Sequence, residues 1–346
     1  DHVGDRELIA ELERLEEVGD LHFHAAAYRS ALDYYGRLLP DESLARLDPA
    51  HAMSVLRKAL TACLHLGWTD RADVLLARCR QQLDRTTTDE TDLRDIELAR
   101  IQVRQAALLM LRGEYQEALD AAKHAFAVLA LTDQHVEVAN LQLTMGACHQ
   151  SLGRLDKAEE FYLDSLGTYR RVDDEAGVAT LYNALAMLKK AACDWTGALP
   201  LQEQAVALAT AHGAPQLLSW FHLNRGIVLV KANRLAEARL ELEKSLELSR
   251  SLGDRVREPK VLLVLSRLEL LSGRLAKAEE HVLAGQILAD RERMRREAAI
   301  ADEYLGDVLL ARGEHEAAIL NYELGLEKIR PLGRVSDVEG ELLRRR

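Results

Sequence analysis

The stretch Gly153-Arg154-Leu155-Asp156-Lys157-Ala158 decides the fold, because the same turn signal returns along the chain at a fixed distance. Related stretches begin at positions 113, 193, 233, 273 and 313, so the spacing between successive copies is constant at forty positions. Six copies without one insertion or deletion indicate an internal repeat. Two looser copies begin at positions 26 and 67, which gives eight repeats in all.

Each repeat predicts two helices joined by a short turn. The turn usually begins with Gly or Asn, which tolerate the left-handed conformation that ends a helix. Seven positions before the turn, all repeats but one carry a small residue: Gly19, Ala106, Gly146, Ala186, Gly226, Ser266 and Gly306. The exception is Leu60. All repeats carry an alanine five positions after the turn begins: Ala31, Ala72, Ala118, Ala158, Ala198, Ala238, Ala278 and Ala318. Small residues at matching heights allow two helices to approach closely, so antiparallel helix pairs are predicted.

This order of small residue, turn, alanine and large residue resembles the tetratricopeptide repeat (TPR) family over nearly the whole chain. Tyr115, Tyr162 and Tyr322 stand where TPR units carry large residues. The resemblance implies an all-α, right-handed superhelical solenoid of about eight antiparallel helix pairs. A usual TPR unit has about 34 residues, and the longer unit here resembles kinesin light chains and the sensor arms of bacterial transcription activators and signalling ATPases. HEAT repeats have a similar length, but the alanine pattern fits TPR units better.

The repeat also predicts the organisation of the chain. We expect two looser repeats over 1–83, a loop over 84–92, six regular repeats over 93–332 and the start of a further helix over 333–346. The sequence begins without Met and stops inside a helical pattern. We therefore expect it to be part of a longer bacterial protein.

Composition and motifs exclude several classes of function. The net charge of -11 argues against a general nucleic-acid binder, which needs a positive field to displace counterions from phosphate. The sequence has no phosphate-binding GxxxxGK[ST], no HExxH and no GxSxG motif. We expect no enzymatic activity, no metal and no cofactor. The sequence also has no apolar run long enough to span a membrane.

The cysteines are widely spaced and form no CxxC pair. We expect Cys63, Cys79, Cys148 and Cys193 to be unpaired and buried in helices, which suits a reducing cytoplasm. Cytoplasmic localisation is therefore predicted.

The resemblance implies that partners bind on a concave face lined by the first helix of each repeat. Carried over position by position, the candidate binding residues are Asn140, Thr144, Thr180, Asn183, Met187, Trp220, Asn224, Ile227, Arg267, Glu303 and Asp307. Only Asn183, Asn224 and Arg267 echo the set that clamps a terminal carboxylate in TPR proteins. A helix or domain of another protein is therefore expected rather than a free C-terminus.

Each of these residues also has a structural interpretation. Trp220 could cover the adjacent hairpin, Asn183 and Asn224 could hydrogen-bond to neighbouring backbone and hold the repeats in register, and Arg267 could be solvated. The leading hypothesis for function is a protein- or peptide-binding sensor module of a regulatory protein. The alternatives are a structural scaffold that forms homo-oligomers and a receptor of the peptide-pheromone type.

Overall fold

A computed structural model describes residues 2–25, 27–85, 91–330 and 342–345, which are helical throughout apart from short turns and contain no strand. The helices are α1 (His2–His24), α2 (Tyr28–Leu38), α3 (Asp41–Leu44), α4 (Pro49–His65), α5 (Thr69–Arg85), α6 (Thr91–Leu111), α7 (Tyr115–Leu129), α8 (His135–Ser151), α9 (Leu155–Arg171), α10 (Glu175–Ala191), α11 (Trp195–Ala211), α12 (Pro215–Lys231), α13 (Leu235–Ser251), α14 (Arg257–Leu271), α15 (Leu275–Arg291), α16 (Arg295–Ala311) and α17 (His315–Ile329). Among the described helices, none is long and apolar enough to cross a membrane.

The described ranges contain the eight helix pairs that the repeat predicts. Except for α3, the helices alternate between a first and a second member of a hairpin, and α3 is a short element that the repeat pattern does not predict. The chain divides into two compact units, Asp1–Gly177 (unit 1) and Val178–Arg346 (unit 2).

The turn residues adopt the conformation that their type predicts. Gly153 has a φ of 73°, and the backbone N–H of Arg154 reaches back to the carbonyl of His149 at 2.9 Å, which is the pairing that closes a helix with a left-handed residue. Asn233 and Cys193 occupy the same position at φ values of 59° and 58°. The repeated turn is therefore one backbone structure, built with different residues.

In several hairpins, the small residue of the first helix makes room for a large residue of the second. A Cβ atom added to Gly146 would lie 2.5 Å from the ring of buried Tyr162, and one added to Gly306 would lie 2.3 Å from that of Tyr322. Gly226 faces Leu242 in the same way. Since the small and the large residue have the same separation along the chain in these hairpins, the hairpins share one packing geometry.

In two hairpins, a hydrogen bond also joins the second helix to the first helix. The Ser165 hydroxyl donates to the carbonyl of Ala139 at 2.7 Å, and the Ser245 hydroxyl donates to that of Ser219 at 2.7 Å. Donor and acceptor have the same separation along the chain in both cases. The alanines after the turns are buried in the core, as the repeat pattern predicts.

Two expectations fall partly outside the described residues. Of the predicted loop over 84–92, residues 84–85 end α5 and residues 91–92 begin α6, while 86–90 lie outside the described ranges. Of the predicted terminal helix over 333–346, residues 342–345 are helical and the others are not described.

The expectation that all four cysteines are buried in helices is wrong for one of them. Cys63, Cys79 and Cys148 are buried and free, and burial raises the pKa values of the first two to about 11 and of the third to about 12. Cys193 is exposed, because it takes the left-handed turn position that Gly fills in most other repeats.

The packing predicts unequal tolerance at two helical glycines of unit 1. Gly146→Val should lower the free energy of unfolding by about 1–3 kcal/mol, because the buried Tyr162 ring leaves no space for the new side chain. Gly167→Ala, on exposed α9 surface where a Cβ meets nothing within 4 Å, should instead raise it by about 0.5–1 kcal/mol. Urea unfolding followed by circular dichroism measures both, and equal effects would contradict the packing.

The thiols should differ in reactivity. At pH 8 we expect one fast reaction with a disulfide reagent, at Cys193, because thiolate formation is suppressed at the three buried positions. Cys193→Gly should remove the fast phase and leave three thiols that react only after unfolding. A fast phase that persists in this variant would show that a buried position opens.

Candidate functional site

The first helices of unit 2 present three half-exposed apolar side chains, Met187, Trp220 and Ile227, which we call the apolar stripe. Met187 on α10 and Ile227 on α12 stand one full repeat apart and therefore occupy equivalent positions. Trp220 precedes Ile227 by two helical turns, so both lie on one face of α12 about 10 Å apart. The stripe is a surface of large apolar side chains that the helix pairs leave partly uncovered.

Core residues anchor the stripe from below. Trp220 lies at the edge of a cluster formed by Ala179, Ala205, Ala209 and Phe221, and its ring centroid is 5.5 Å from that of Phe221. Met187 and Ile227 pack against neighbouring clusters. Trp220 thus covers the adjacent hairpin and also keeps an accessible surface.

Beneath the stripe, the two candidate asparagines are joined by a buried amide cluster. The Oδ1 atom of Asn183 accepts hydrogen bonds from Nδ2 of Asn224 at 2.9 Å and from Nε2 of Gln202 at 3.0 Å. The three side chains come from α10, α12 and α11, and all are buried. Their partners are side chains rather than the backbone considered above, and the contact ties two successive repeats together.

Sequence reasoning missed Gln202, although the repeat carries a signal for it. Gln202 follows Ala186 at the same separation as Tyr162 follows Gly146, so it occupies the buried position that holds a large apolar residue elsewhere. A polar residue there must find a partner inside the core. Its Nε2 does so at Asn183, while its Oε1 has no hydrogen-bond partner among the described residues.

A buried hydrogen bond joins α12 to α13, the second helix of its hairpin. Nδ1 of His222 lies 2.7 Å from Oε2 of buried Glu241 on α13. Burial opposes ionisation of Glu241, but the hydrogen bond from His222 and the charges of His222, Arg225 and Lys244 together lower the pKa of Glu241 to about 2. At neutral pH, the Glu241 carboxylate is therefore charged and anchors α12, the helix that carries Trp220 and Ile227, through His222.

The acidic and basic candidates at the end of unit 2 are engaged with one another. Nη1 of Arg267 lies 2.7 Å from Oδ2 of Asp307, whose Oδ1 accepts from the hydroxyl of Tyr322 at 3.0 Å. Arg345, in the terminal helical residues, pairs with Asp307 at 3.0 Å and also with Glu303. Arg267, Glu303 and Asp307 thus form one ion-pair network, and its member Arg345 was not among the sequence candidates.

The candidates of unit 1 are likewise hydrogen-bonded within the chain. Oδ1 of Asn140 accepts from the hydroxyl of Tyr169 at 2.7 Å, and the Thr144 hydroxyl donates to the carbonyl of Asn140 at 2.9 Å. Thr180 belongs to unit 2, stands on α10 at the position equivalent to Asn140, and is half-buried. These residues support the helix faces on which they lie.

The exposed part of the stripe is apolar. Among the described residues, no group of three His, Cys, Asp or Glu side chains is placed to hold a metal ion. The residues that reach the surface of the stripe are Met, Trp and Ile, which offer apolar contact, and Asn183 and Asn224 on the same helices belong to the buried amide cluster.

Comparisons with known proteins agree with the repeat fold. The family described as "Tetratricopeptide repeat" matches residues 97–171 and 137–211. No curated protein is significantly similar to the chain in sequence.

Solved structures extend the similarity of fold over most of the chain. A Rap protein complexed with competence and sporulation factor has a TM-score of 0.66 at 13% identity, over 86% of this chain and 80% of its own. The Rap conjugation gene regulator of plasmid pLS20, in complex with the Phr* peptide, has a TM-score of 0.66 at 11% identity, over 95% and 97%. A signal transduction ATPase with a tetratricopeptide repeat sensor, from Pyrococcus horikoshii, has a TM-score of 0.58 at 13% identity, over 92% of this chain and 51% of its own. The chain is thus a TPR-like helical repeat protein.

Proposed function

We propose that this chain is a non-catalytic protein- or peptide-binding module of a larger regulatory protein, and that unit 2 binds an amphipathic helix or a protein domain on the apolar stripe. The observation that carries the proposal is the half-exposure of Met187, Trp220 and Ile227 above a buried amide cluster. The module would act in the cytoplasm and would not contact membranes or nucleic acid.

The chemistry of the stripe favours an apolar partner surface. Oδ1 of Asn183 already accepts two hydrogen bonds, and one of them comes from the amide of Asn224, so these two side chains serve the cohesion of the repeats. Arg267 is paired with Asp307 and is not a ready receptor for a terminal carboxylate. Large apolar side chains at helical spacing suit the apolar face of a helix, which supplies its own backbone hydrogen bonds.

The similar structures support the regulatory part of the proposal. The two Rap proteins are complexed with competence and sporulation factor and with a Phr* peptide, and the repeats of the Pyrococcus protein are described as a sensor. We infer by analogy that binding here shifts an equilibrium between two arrangements of a larger protein.

The test is a selection of peptides against the full chain, followed by affinity measurements. Amphipathic peptides selected from a displayed library should bind the wild-type chain, provided that they are long enough to form a helix, at about 15 residues. Their affinity, measured by fluorescence anisotropy, should fall at least about tenfold in the double variant Met187→Lys/Ile227→Lys, because charges would then face the apolar side of the peptide. Circular dichroism should show unchanged helicity.

Two further variants make the test specific. Leu240→Lys changes a 58% exposed residue of second helix α13 in the same way and should leave the affinity unchanged. Asn183→Ala should lower the free energy of unfolding by about 1–3 kcal/mol, because it removes the partner of two buried amides. Full affinity in Met187→Lys/Ile227→Lys, or equal losses in it and in Leu240→Lys, would contradict the assigned surface.

The alternative function is self-assembly, which one observation favours. Ile287 on α15 and Leu320 on α17 are 68% and 57% exposed, and such residues on second helices offer a surface to another copy. Sedimentation velocity at micromolar concentration distinguishes the two. A stable oligomer that Ile287→Lys/Leu320→Lys converts to monomer would support the scaffold, whereas a wild-type monomer would oppose it.

A further inference from the structure

Unit 1 contains a pocket of about 310 Å³ that the proposed function does not use. It lies between second helices α7 and α9 and is floored by α8, and its apolar wall is formed by Leu119, Met145 and Phe161. This volume falls at the lower end of the range of small-molecule sites.

An unpaired imidazole lies on the floor of the pocket. His149 is 7% exposed, its ring stacks on Phe161 with centroids 5.4 Å apart, and its Nδ1 atom has no hydrogen-bond partner among the described residues. A buried polar atom without a partner costs free energy, so it is unusual in a native core. The same side chain lines the pocket, so a ligand bound there would contact the imidazole ring.

The rim of the pocket is cationic. Lys123, Arg154 and Lys157 line it, with Glu160 as the one acidic lining residue, so the lining carries a net charge of +2 when His149 is neutral. Lys123 lies 3.2 Å from Asp120, while neither Arg154 nor Lys157 forms an ion pair within the described ranges. Burial and the charges of these three cations lower the pKa of His149, and Glu160 opposes them only in part.

The equivalent position three repeats later is instructive because it contains its own anion. Glu269 stands there in place of His149, is fully buried, and pairs with Arg239 and Arg274. Arg274 and Lys277 likewise stand three repeats after Arg154 and Lys157. The α8 site therefore keeps two of the same cations but has an imidazole where the later site has a carboxylate.

We propose that this pocket of unit 1 binds a small molecule carrying a phosphate monoester, with the phosphate between Arg154, Lys157 and His149 and an apolar or aromatic body against Phe161 and Met145. A phosphate monoester carries a charge of about −1.5 to −2 at pH 7, which matches the excess charge of the lining. Its oxygens accept hydrogen bonds from the guanidinium and the ammonium, and a turn of the His149 ring toward the pocket would add an Nδ1–H donor.

The proposal is tested by calorimetric titration of the full chain at pH 7, in a buffer without phosphate and at low salt, with phenyl phosphate as the probe. We expect one site per chain. Arg154→Ala/Lys157→Ala should weaken binding by about tenfold or more, since it removes two charge-assisted contacts. Lys277→Ala, the matched change in the repeat that carries Glu269, should leave binding unchanged.

A variant with an internal anion provides the second test. His149→Glu places a carboxylate where Glu269 stands in the later repeat, so it should pair with Arg154 and abolish phenyl phosphate binding while helicity is retained. Titrations with benzoate and benzyl alcohol separate the anion from the ring. Absence of phenyl phosphate binding to the wild-type chain, equal affinity for benzoate, or full affinity in Arg154→Ala/Lys157→Ala or His149→Glu would each overturn the proposal.

Discussion

In most hairpins, the two helices approach closely because one of them has a small side chain or none at the crossing point. The rings of Tyr162 and Tyr322 lie where a Cβ atom of Gly146 or Gly306 would have to be. This contact sets the height of one helix against the other, and the serine-to-carbonyl bonds between the two helices occur at the level it fixes. Because this contact sets how the two helices of a hairpin pack, it also determines which side chains remain at the surface, including those of the stripe and the pocket.

Much of the fold could be predicted because it depends on residue size and backbone conformation, which return at the same positions of successive repeats. Gly, Asn and alanine leave a visible pattern, and helix pairs are local structures that need no distant partner. The short helix α3 was not predictable in this way, since it occurs once and has no counterpart for comparison. Cys193 was misjudged because its chemical type suggested burial, while its place in the turn required exposure.

The candidate site could be predicted only as a set of positions. Which side chains are accessible depends on partners contributed by other helices. Gln202 hydrogen-bonds to Asn183, and Arg345 forms an ion pair with Asp307. The same limit applies to His149. It stands out only when it is compared with Glu269, which occupies the equivalent position three repeats later and forms ion pairs there. Polar residues in a repeat array are therefore best interpreted by comparing equivalent positions of the same chain.

The central claim is that the first helices of unit 2 form the surface for a partner. Hydrogen–deuterium exchange of the full chain, with and without a selected amphipathic peptide, tests it most directly. We predict that protection on binding is concentrated in residues 178–191 and 215–231, which include the apolar stripe. Protection confined to the second helices α13, α15 and α17 would contradict the account.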